Sequence, residues 1–242
     1  MRGETVFYDE DLAYVHDLGF TDMARNAART VLQLLKPQKI KNGLVVDLGC
    51  GSGVFAERIT CAGYDVLGID VSEAMLRLAR KRASRARFTR GSLFQEKLPN
   101  CMAVCAVGES VNYLVGREST TSLEEFFRCV HPVLNPGGVF VFDIAEYGGG
   151  GKPWLLHSED WAILVDKRED IRRRLLIRRM TTFRRVGRLY RKSEEVHRQR
   201  LYPLARIVKN LEATGFRVAR LHGYGGKEFM PGHAGFVARK AK

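Results

Sequence analysis

The sequence has no long hydrophobic run, no apolar segment at its first residues and no even set of cysteines, so we expect neither a secretory leader nor a disulfide framework. None of its 242 residues belongs to an apolar run of the roughly 18 residues that a transmembrane helix needs. The first residues, Met1-Arg2-Gly3-Glu4, do not have the apolar segment of a signal peptide. Its five cysteines are an odd number, which argues against disulfide pairing. We therefore expect a reducing, cytoplasmic setting, with Cys101 and Cys105 as buried thiols on a strand and no metal site.

Negative charge is also scarce relative to positive charge. The chain has 40 Lys and Arg against 27 Asp and Glu, a formal net charge of +13. Residues 151–200 hold 15 Lys and Arg against 7 Asp and Glu, so they carry +8 of that excess. Such basicity is compatible with nucleic acid or an acidic ligand. Stacking aromatics are sparse in this segment, however, and a solvated arginine-rich face is the simpler interpretation.

What the chain does contain is a glycine-rich turn between a strand and a helix. Leu44-Val45-Val46 is too short for a helix and predicts a strand buried on both faces. Gly49, Gly51 and Gly53 follow, and helical spacing starts at Val54. In such a unit, backbone N–H groups at the start of the helix face a ligand. The pattern predicts a nucleotide-cofactor site.

Strands alternate with helices through residue 143. Besides the first strand, four runs have the composition of core strands: Asp65–Asp70, Arg87–Arg90, Cys101–Val107 and Val139–Asp143. Helices are predicted after Ser72 and from about Ser122 through Leu134, and a turn at Asn135-Pro136-Gly137-Gly138. The alternation predicts a Rossmann-like, doubly wound, mostly parallel α/β sheet. Ligands bind such a sheet beyond the carboxyl ends of its strands.

The flanking segments complete a single domain over residues 1–242. The pattern of residues 1–42 predicts an N-terminal helical cap, whose second helix ends at Pro37. A cofactor-binding core follows at residues 43–147. Residues 152–202 predict an inserted antiparallel sheet that turns at Val186-Gly187 and has too few apolar residues for its own core. Residues 203–242 predict a last helix and two strands, for seven strands in the main sheet.

The residues around the turn discriminate between cofactors. A dinucleotide-binding site has the motif G-x-G-x-x-G, but here the third glycine comes one position early. A phosphate-binding P-loop has a Lys after its glycines, and no Lys follows here. Asp47 would repel a pyrophosphate and suits a cationic ligand instead. Asp70 lies 17 residues beyond Gly53, near the ~20 expected for a carboxylate that binds a ribose diol. S-adenosylmethionine, with a ribose and an ammonium group, remains.

Three motifs resemble those of the class I S-adenosylmethionine-dependent methyltransferase family. They are Val46-Asp47-Leu48-Gly49-Cys50-Gly51-Ser52-Gly53, Gly68-Ile69-Asp70-Val71-Ser72-x-x-Met75 and Leu134-Asn135-Pro136-Gly137-Gly138. The resemblance implies that S-adenosylmethionine is the cofactor and that the chain is a methyltransferase. The cofactor-binding residues that it implies are Asp47, Gly49, Cys50, Gly51, Gly53, Asp70, Val71, Met75, Ser92, Leu93 and Gly108.

The resemblance also implies individual roles in cofactor binding. Gly49 and Gly51 would lie against the methionyl part, which Asp47 orients, and Asp70 would bind the ribose. Val71 and Met75 would flank the adenine. One departure is visible: the family often has an Asp after the third strand, whereas Gly91 is followed here by Ser92 and Leu93. Ser92 either bonds to the adenine or only caps a turn.

Methyl transfer is an in-line displacement that mainly requires the nucleophile to be held close and aligned. A general base is needed only if the nucleophile must lose a proton. Glu109 and His197 are the predicted catalytic residues, with His16 as a third candidate base. The predicted acceptor-binding residues are Tyr8, Tyr14, His16, Asn112 and Tyr113. The aromatic residues of the N-terminal segment either cover a pocket or pack against the body.

The acceptor is constrained mainly by missing motifs. The chain has neither the Asn/Asp-Pro-Pro-Tyr/Phe motif of methylases that act on exocyclic base amines nor a Pro-Cys nucleophile for cytosine C5. A cap with an inserted antiparallel sheet resembles small-molecule N- or O-methyltransferases, such as those acting on amino sugars. We therefore predict a small-molecule acceptor. The alternatives are an RNA methyltransferase that uses residues 151–200 and a non-catalytic protein that binds S-adenosylmethionine.

Overall fold

A computed structural model describes residues 7–36, 43–115, 122–148 and 151–241 of the chain. The predicted helix end at Pro37 lies outside these residues. The helices are α1 Glu10–Gly19, α2 Asp22–Leu35, α3 Val54–Cys61, α4 Glu73–Arg82, α5 Leu123–Val133 and α6 Leu204–Ala213. The strands are β1 Leu44–Leu48, β2 Asp65–Asp70, β3 Arg87–Arg90, β4 Cys101–Ala106, β5 Leu134–Ala145, β6 Gly151–His157, β7 Trp161–Asp170, β8 Leu175–Val186, β9 Leu189–Arg200, β10 Phe216–Leu221, β11 Gly223–Tyr224, β12 Lys227–Glu228 and β13 His233–Lys240.

A seven-stranded sheet forms the centre, with the strand order β10-β13-β5-β4-β1-β2-β3. Strands β1 to β5 pair in parallel, whereas β13 is antiparallel to both β5 and β10. The order reverses at β1 and β4, so a crevice opens where these two strands end. The predicted Rossmann-like, doubly wound sheet of seven mostly parallel strands is confirmed.

Alternate residues of the central strands face two separate apolar layers. Val45 and Cys105 belong to a cluster with residues of α2 and α3. Val46 and Val104 belong to a cluster on the other face, with residues of α5 and α6. All six residues of β4 are buried, including the free thiols Cys101 and Cys105. Helices therefore cover both faces of the sheet, and its carboxyl edge is left for a site.

The inserted sheet is antiparallel, with the order β6-β7-β8-β9. Val186 pairs with Leu189 across a turn in which Gly187 has a φ of 64°. The sheet packs on α1 through a cluster that includes Leu12, Trp161 and Met180. The N-terminal helix and the insert are thus one layer above the carboxyl edge of the main sheet.

Two elements differ from the sequence-based expectation. Leu134 begins β5 and does not extend the preceding helix, and Asn135–Gly138 form part of that strand, which pairs irregularly with β4. Gly151–His157 form a strand, although the four consecutive glycines at 148–151 in the sequence predict a flexible break there. Within the described ranges, none of the helices has the length and apolar composition that crossing a bilayer requires.

Candidate active site

The glycine turn joins β1 to α3 and is fastened to the neighbouring strand. The N–H groups of Gly49 and Cys50 donate to the carbonyl of Ile69 at 2.8 and 3.1 Å. Gly49, Gly51 and Gly53 have φ angles of 72°, 52° and 78°, a region that side chains disfavour. Glycine is therefore required by the shape of this turn, which ends at the first residue of α3.

Asp70 at the end of β2 is the anchor of the turn. Its Oδ2 accepts from the Gly51 N–H and its Oδ1 from the Ser72 N–H, both at 2.8 Å. Burial raises the pKa of Asp70, although the N–H groups of Ser72 and Gly51 oppose that rise. The Ser72 hydroxyl accepts from the Met75 N–H at 3.1 Å and so caps α4. The acid and the helix that follows it are thereby fixed at the edge of the crevice.

Two adjoining cavities follow the carboxyl edge of the sheet and share His16, Gly49, Gly51, Val107 and Gly108. One continues past β2 and β3, and the other past β1 toward α2. The predicted cofactor-binding residues in their lining are Asp47, Gly49, Cys50, Gly51, Asp70, Val71, Met75, Ser92, Leu93 and Gly108. The fold thus brings these residues to one groove from four separate loops.

Gly53 is the exception among the predicted cofactor-binding residues. A Cβ at this position would lie 2.9 Å from the Cα and Cβ atoms of Ala79 on α4. The lack of a side chain therefore allows α3 to approach α4 closely. Gly53 serves helix packing and lines neither cavity, and its contact with the cofactor stays a prediction.

Asp47 has the properties expected of an acid that faces a cationic ligand. Its carboxylate is buried, and Oδ2 has no hydrogen-bond partner among the described residues. Burial, with the nearby charge of Asp70, raises the pKa of Asp47 to about 8. An unpaired buried carboxyl is costly, and an ammonium group in the adjoining cavity would relieve that cost.

Gly51 and Gly108 leave the groove open beside that acid. A Cβ built at either position meets no atom within 4 Å, although both residues line the groove. A larger side chain would therefore project into the space that a ligand needs. The carboxyl of Asp70, the carboxyl of Asp47 and the open space beside the glycines fit a ligand with a ribose at one end and an ammonium group at the other.

An aromatic group covers the groove. The hydroxyls of Tyr8 and Tyr113 lie 3.0 Å apart, and the ring of His16 is 5.1 Å from that of Tyr8. Burial lowers the pKa of His16 to about 4, so its imidazole is neutral at neutral pH. All three side chains line the groove.

The backbone of the N-terminal segment is fastened over this group. Glu195 on β9 accepts from the N–H groups of Tyr8 and Asp9 at 2.8 and 2.9 Å. The Ser72 hydroxyl donates to the carbonyl of Tyr8 at 2.7 Å. Tyr8 itself has a positive φ of 49°. The segment therefore connects the insert to the cofactor side of the groove.

Tyr14 and Asn112 are not part of this group, and their role in acceptor binding stays a prediction. The ring of Tyr14 packs against the guanidinium of Arg184 at 3.9 Å and belongs to the cluster under the insert. Asn112 is fully buried, and its amide bonds to the backbone of Ala145 and Arg200 at 2.6 to 3.1 Å. Its polar atoms are used to join β5 to β9, so it is a structural brace.

Glu109 lies behind the groove in a buried ion pair with Arg178. Its Oε2 also accepts from the Gln199 amide at 3.1 Å, and its Oε1 lies 3.7 Å from Nδ1 of His233. Burial would raise the pKa of Glu109, but Arg178, then His233 and Gln199, lower it below the ordinary value. A carboxylate held in this way is a weak proton acceptor.

His197 is fully buried in the insert. Its ring lies 4.9 to 5.5 Å from those of Phe7, Tyr8 and Tyr113, and its Nε2 is 2.8 Å from Glu195. It therefore supports the aromatic group from behind, where it has no exposed surface.

Sequence reasoning did not identify Asp143, which lies two residues before the end of β5, as a site residue. Its carboxylate is fully buried and accepts from the N–H groups of Gly108 and Glu109 at 2.8 to 3.1 Å. Tyr224 donates to it at 2.8 Å, and His233 Nε2 lies 2.7 Å away. It fixes the turn after β4 that lines the groove. The signal in the sequence is an acid near the carboxyl end of a core strand, the position that Asp70 has on β2.

Comparison with known proteins agrees with this geometry. Residues 45–138 match the family model described as a methyltransferase domain. A Bacillus subtilis (strain 168) protein provisionally named methyltransferase YqeM is 27% identical over 75% of this chain and 76% of its own. The dTDP-3-amino-3,4,6-trideoxy-alpha-D-glucopyranose N,N-dimethyltransferase of Streptomyces venezuelae is 29% identical over 56% of this chain and 58% of its own. The chain thus spans three quarters of the first relative and little more than half of the second.

Solved structures share the fold over almost the whole chain. An S-adenosylmethionine-dependent methyltransferase from Clostridium acetobutylicum ATCC 824 aligns with a TM-score of 0.79 at 18% identity, covering 95% of this chain and 97% of its own. Streptomyces venezuelae DesVI aligns with a TM-score of 0.77 at 24% identity, covering 97% and 100%. The glycine turn, the acid after β2 and the matched family model agree with each other. Residues 45–138 thus carry a methyltransferase domain, and the comparisons support the class I family that uses S-adenosylmethionine as methyl donor.

Proposed function

We propose that the chain methylates a nitrogen or oxygen atom of a small-molecule acceptor, and we favour an amine on a sugar-like compound. The observation that carries this proposal is the aromatic group, Tyr8, Tyr113 and His16, which lies over the groove. These three side chains line the groove, and hydrogen bonds to Glu195 hold the backbone of Tyr8 and Asp9, the covering segment, in place. A groove covered in this way suits a small molecule better than a polymer.

The residues of the groove would hold the donor in a defined direction. Asp70 would accept from the ribose hydroxyls, with Val71 and Met75 beside the adenine, and Asp47 would face the ammonium end. S-adenosylmethionine, when bound, supplies a methyl group that is already activated by the sulfonium. The protein's remaining task is to hold the acceptor close and in line, which can contribute several kcal/mol.

The polar atoms of Tyr8, Tyr113 and His16 would orient the acceptor. The hydroxyls of Tyr8 and Tyr113 can donate or accept, and the neutral imidazole of His16 keeps one nitrogen that can accept a hydrogen bond. These groups suit an amine or hydroxyl on the acceptor. An amine that binds unprotonated is nucleophilic without further activation, and it loses its extra proton to water after transfer.

This proposal gives Glu109 and His197 positioning roles. The ion pair with Arg178 stabilises the charged form of Glu109, which makes the carboxylate a poor general base. His197 is enclosed by three aromatic rings and Glu195. We propose that both act through their neighbours: Glu109 through the turn after β4, and His197 through Tyr8 and Tyr113.

Two observations support a small acceptor over RNA. Six of the 15 basic residues of segment 151–200 have carboxylate partners within the chain, which reduces the charge available to a polyanion: Arg173, Arg178, Arg184, Arg185, Arg191 and Lys192. Relatives and neighbours include proteins named as an amino-sugar dimethyltransferase and an amino pentose methyltransferase. An 18S rRNA (guanine-N(7))-methyltransferase of Bos taurus, 26% identical over 57% of this chain, keeps RNA as the competing acceptor.

Transfer of a labelled methyl group distinguishes these acceptors. The protein is incubated with methyl-labelled S-adenosylmethionine and a cell extract separated into a dialysable fraction and total RNA. We expect label in the dialysable fraction and lower acceptor turnover in Tyr113→Phe, with unchanged cofactor affinity. Label that appears only in RNA and is released by ribonuclease would contradict the proposal.

A further inference from the structure

His233, the first residue of β13, lies between two acids behind the cofactor groove. Its Nε2 is 2.7 Å from Oδ2 of Asp143, and its Nδ1 is 3.7 Å from Oε1 of Glu109. A neutral imidazole has one N–H and one lone pair, whereas the charged ring has an N–H on each nitrogen. Because both nitrogens face carboxylate oxygens, this arrangement fits the charged ring.

Packing fixes the orientation of the His233 ring. The ring stacks on that of Phe229, with centroids 4.5 Å apart and planes 8° from parallel. A Cβ at Gly235 would lie 2.6 Å from the Phe229 ring, so the glycine leaves room for the stack. Phe229 also meets the ring of Tyr224 edge to face, with centroids 4.9 Å apart, and the Tyr224 hydroxyl donates to Asp143. The imidazole is thus held in the plane that directs both nitrogens at the acids.

The buried charges around His233 balance when its ring is protonated. Asp143 and Glu109 are the acids, Arg178 pairs with Glu109, and all four side chains are at most 16% exposed. Within the described ranges, His233 is the one basic group in ion-pair contact with Asp143. Lys167 on β7 lies near Glu109 and Arg178, but in the same ranges it pairs with neither acid. A neutral His233 would leave a buried carboxylate uncompensated, which is costly.

The pKa of His233 responds to the same neighbours. Burial lowers this pKa, but the hydrogen bond to Asp143 and the charges of Asp143 and Glu109 outweigh burial and raise it above its ordinary value. Arg178 from β8 opposes the rise, and Tyr224 from β11 bonds to the other oxygen of Asp143. The ring therefore keeps its charge above about pH 6.5, where most free histidine side chains are neutral.

Asp143 connects His233 to the wall of the groove. Its carboxylate accepts from the N–H groups of Gly108 and Glu109 at 2.8 to 3.1 Å. Gly108 lines both cavities and has a φ of 80°, and Glu109 follows with a φ of 60°. Such a backbone conformation is strained for a residue other than glycine and persists only where the surrounding structure supports it. The hydrogen bonds to Asp143 give that support, so they determine the shape of the groove where it adjoins Asp47.

We propose that the imidazolium of His233 is a positioning residue for the methyl donor. It acts through Asp143 on the turn at Gly108, and its charge keeps that turn in the form that binds S-adenosylmethionine. Because coupling between two binding events is reciprocal, bound S-adenosylmethionine in turn favours the protonated ring. This role concerns the donor, so it is independent of which acceptor the enzyme methylates.

Calorimetric titration with S-adenosylmethionine between pH 6 and pH 9 tests this role. Asp47 titrates in the same range, with a pKa of about 8, so the full-length variants compared are D47N and D47N/H233Q. D47N should bind more weakly as the pH rises through the raised pKa of His233, by at least about fivefold, the lower end of typical coupling between sites. D47N/H233Q should bind weakly throughout, because Gln can donate to Asp143 but has no charge. Titration of the ligand's own ammonium is common to both proteins and cancels in the comparison.

D47N/H157Q is the matched control, since His157 is an exposed histidine at the end of β6. It should show the same pH dependence as D47N. If D47N and D47N/H233Q show the same pH dependence, the charge of His233 has no part in donor binding. A lower melting temperature of D47N/H233Q with that same pH dependence would reduce His233 to a structural residue and overturn the proposal.

Nitrogen-15 NMR of the wild-type histidine side chains gives a second measurement that needs no variant. The His233 ring is assigned through its backbone connectivity and titrated with and without S-adenosylmethionine. We expect protons on both ring nitrogens at pH 7 and a higher pKa in the complex. A neutral ring at pH 7, or a pKa that S-adenosylmethionine does not change, would overturn the proposal.

Discussion

Asp47→Asn offers a direct test of the cationic end of the groove. In the folded protein, burial and the charge of Asp70 raise the pKa of Asp47 from 3.8 to about 8. The folded protein therefore retains a proton on Asp47 at pH values where the unfolded chain has lost it. Its contribution to stability is fully present below the ordinary pKa and is lost as the pH rises toward 8. The Asp47→Asn substitution would keep the shape of the side chain and remove this titration.

The size of the effect follows from the two pKa values. Between pH 6 and pH 8, a carboxyl with these values removes about 2 kcal/mol from the free energy of unfolding. The Asp47→Asn variant should not lose this amount. It should also bind S-adenosylmethionine more weakly, by about tenfold or more, because a hydrogen bond between charged groups contributes about 1.5–3 kcal/mol. The same substitution should thus stabilise the free protein at pH 8 and impair it as an enzyme.

Urea unfolding at pH 6 and pH 8, without cofactor, measures the first effect, and calorimetric titration with S-adenosylmethionine measures the second. Asp65→Asn, at an exposed acid at the start of β2, is the control and should behave as the wild type in both assays. If wild type and Asp47→Asn lose the same stability between the two pH values, the buried carboxyl is not the titrating group. Unchanged cofactor affinity would refute its pairing with the ammonium.

Substitutions at three other positions, Asp70, Gly108 and Glu109, test the remaining parts of the site. Asp70→Ala should weaken S-adenosylmethionine binding by about tenfold or more, since it removes a charged acceptor; an unchanged calorimetric affinity would exclude the ribose contact. Gly108→Ala should weaken the binding of S-adenosylmethionine. Gly187→Ala is the control, because Gly187 also has a positive φ, 64°, but lies in the hairpin turn of the insert; it should lower only the melting temperature. Glu109→Gln should cost about 3–5 kcal/mol in urea unfolding because Arg178 is left buried and unpaired. Adding Arg178→Met should recover part of that loss, and the wild-type pair should lose its stabilisation only as the pH falls through the lowered pKa of Glu109.

The elements of the main sheet could be predicted because their signals are local. β1 and β2 are short apolar runs that end at glycine or an acid, and Ser72 precedes a helix that it caps. β6 gave no such signal, because most of its residues are exposed and it follows a glycine run. The start of β5 was misjudged at Pro136, since its pairing with β4 is irregular there.

The site was predicted less completely because its partners are distant in sequence. Glu109 has the position expected of a base, but Arg178, 69 residues later, holds it in an ion pair. The Asp143 carboxylate accepts a hydrogen bond from the Gly108 N–H and is hydrogen-bonded to His233, 90 residues later in the chain. No spacing rule connects such residues, so only the folded structure separates a catalytic position from a structural one.

The contacts of the covering segment determine the order in which parts of the protein can fold. Tyr8 and Asp9 bond to Glu195, and Asp11 pairs with Arg191, about 180 residues later in the chain. Contacts of such separation form late in folding, because closing long loops costs entropy first. During synthesis, residues 8–11 leave the ribosome long before β9 and can form these contacts only after β9 has been made. The glycine turn can therefore fold before the acceptor side of the groove exists, and the docking of residues 8–11 on β9 completes the enzyme.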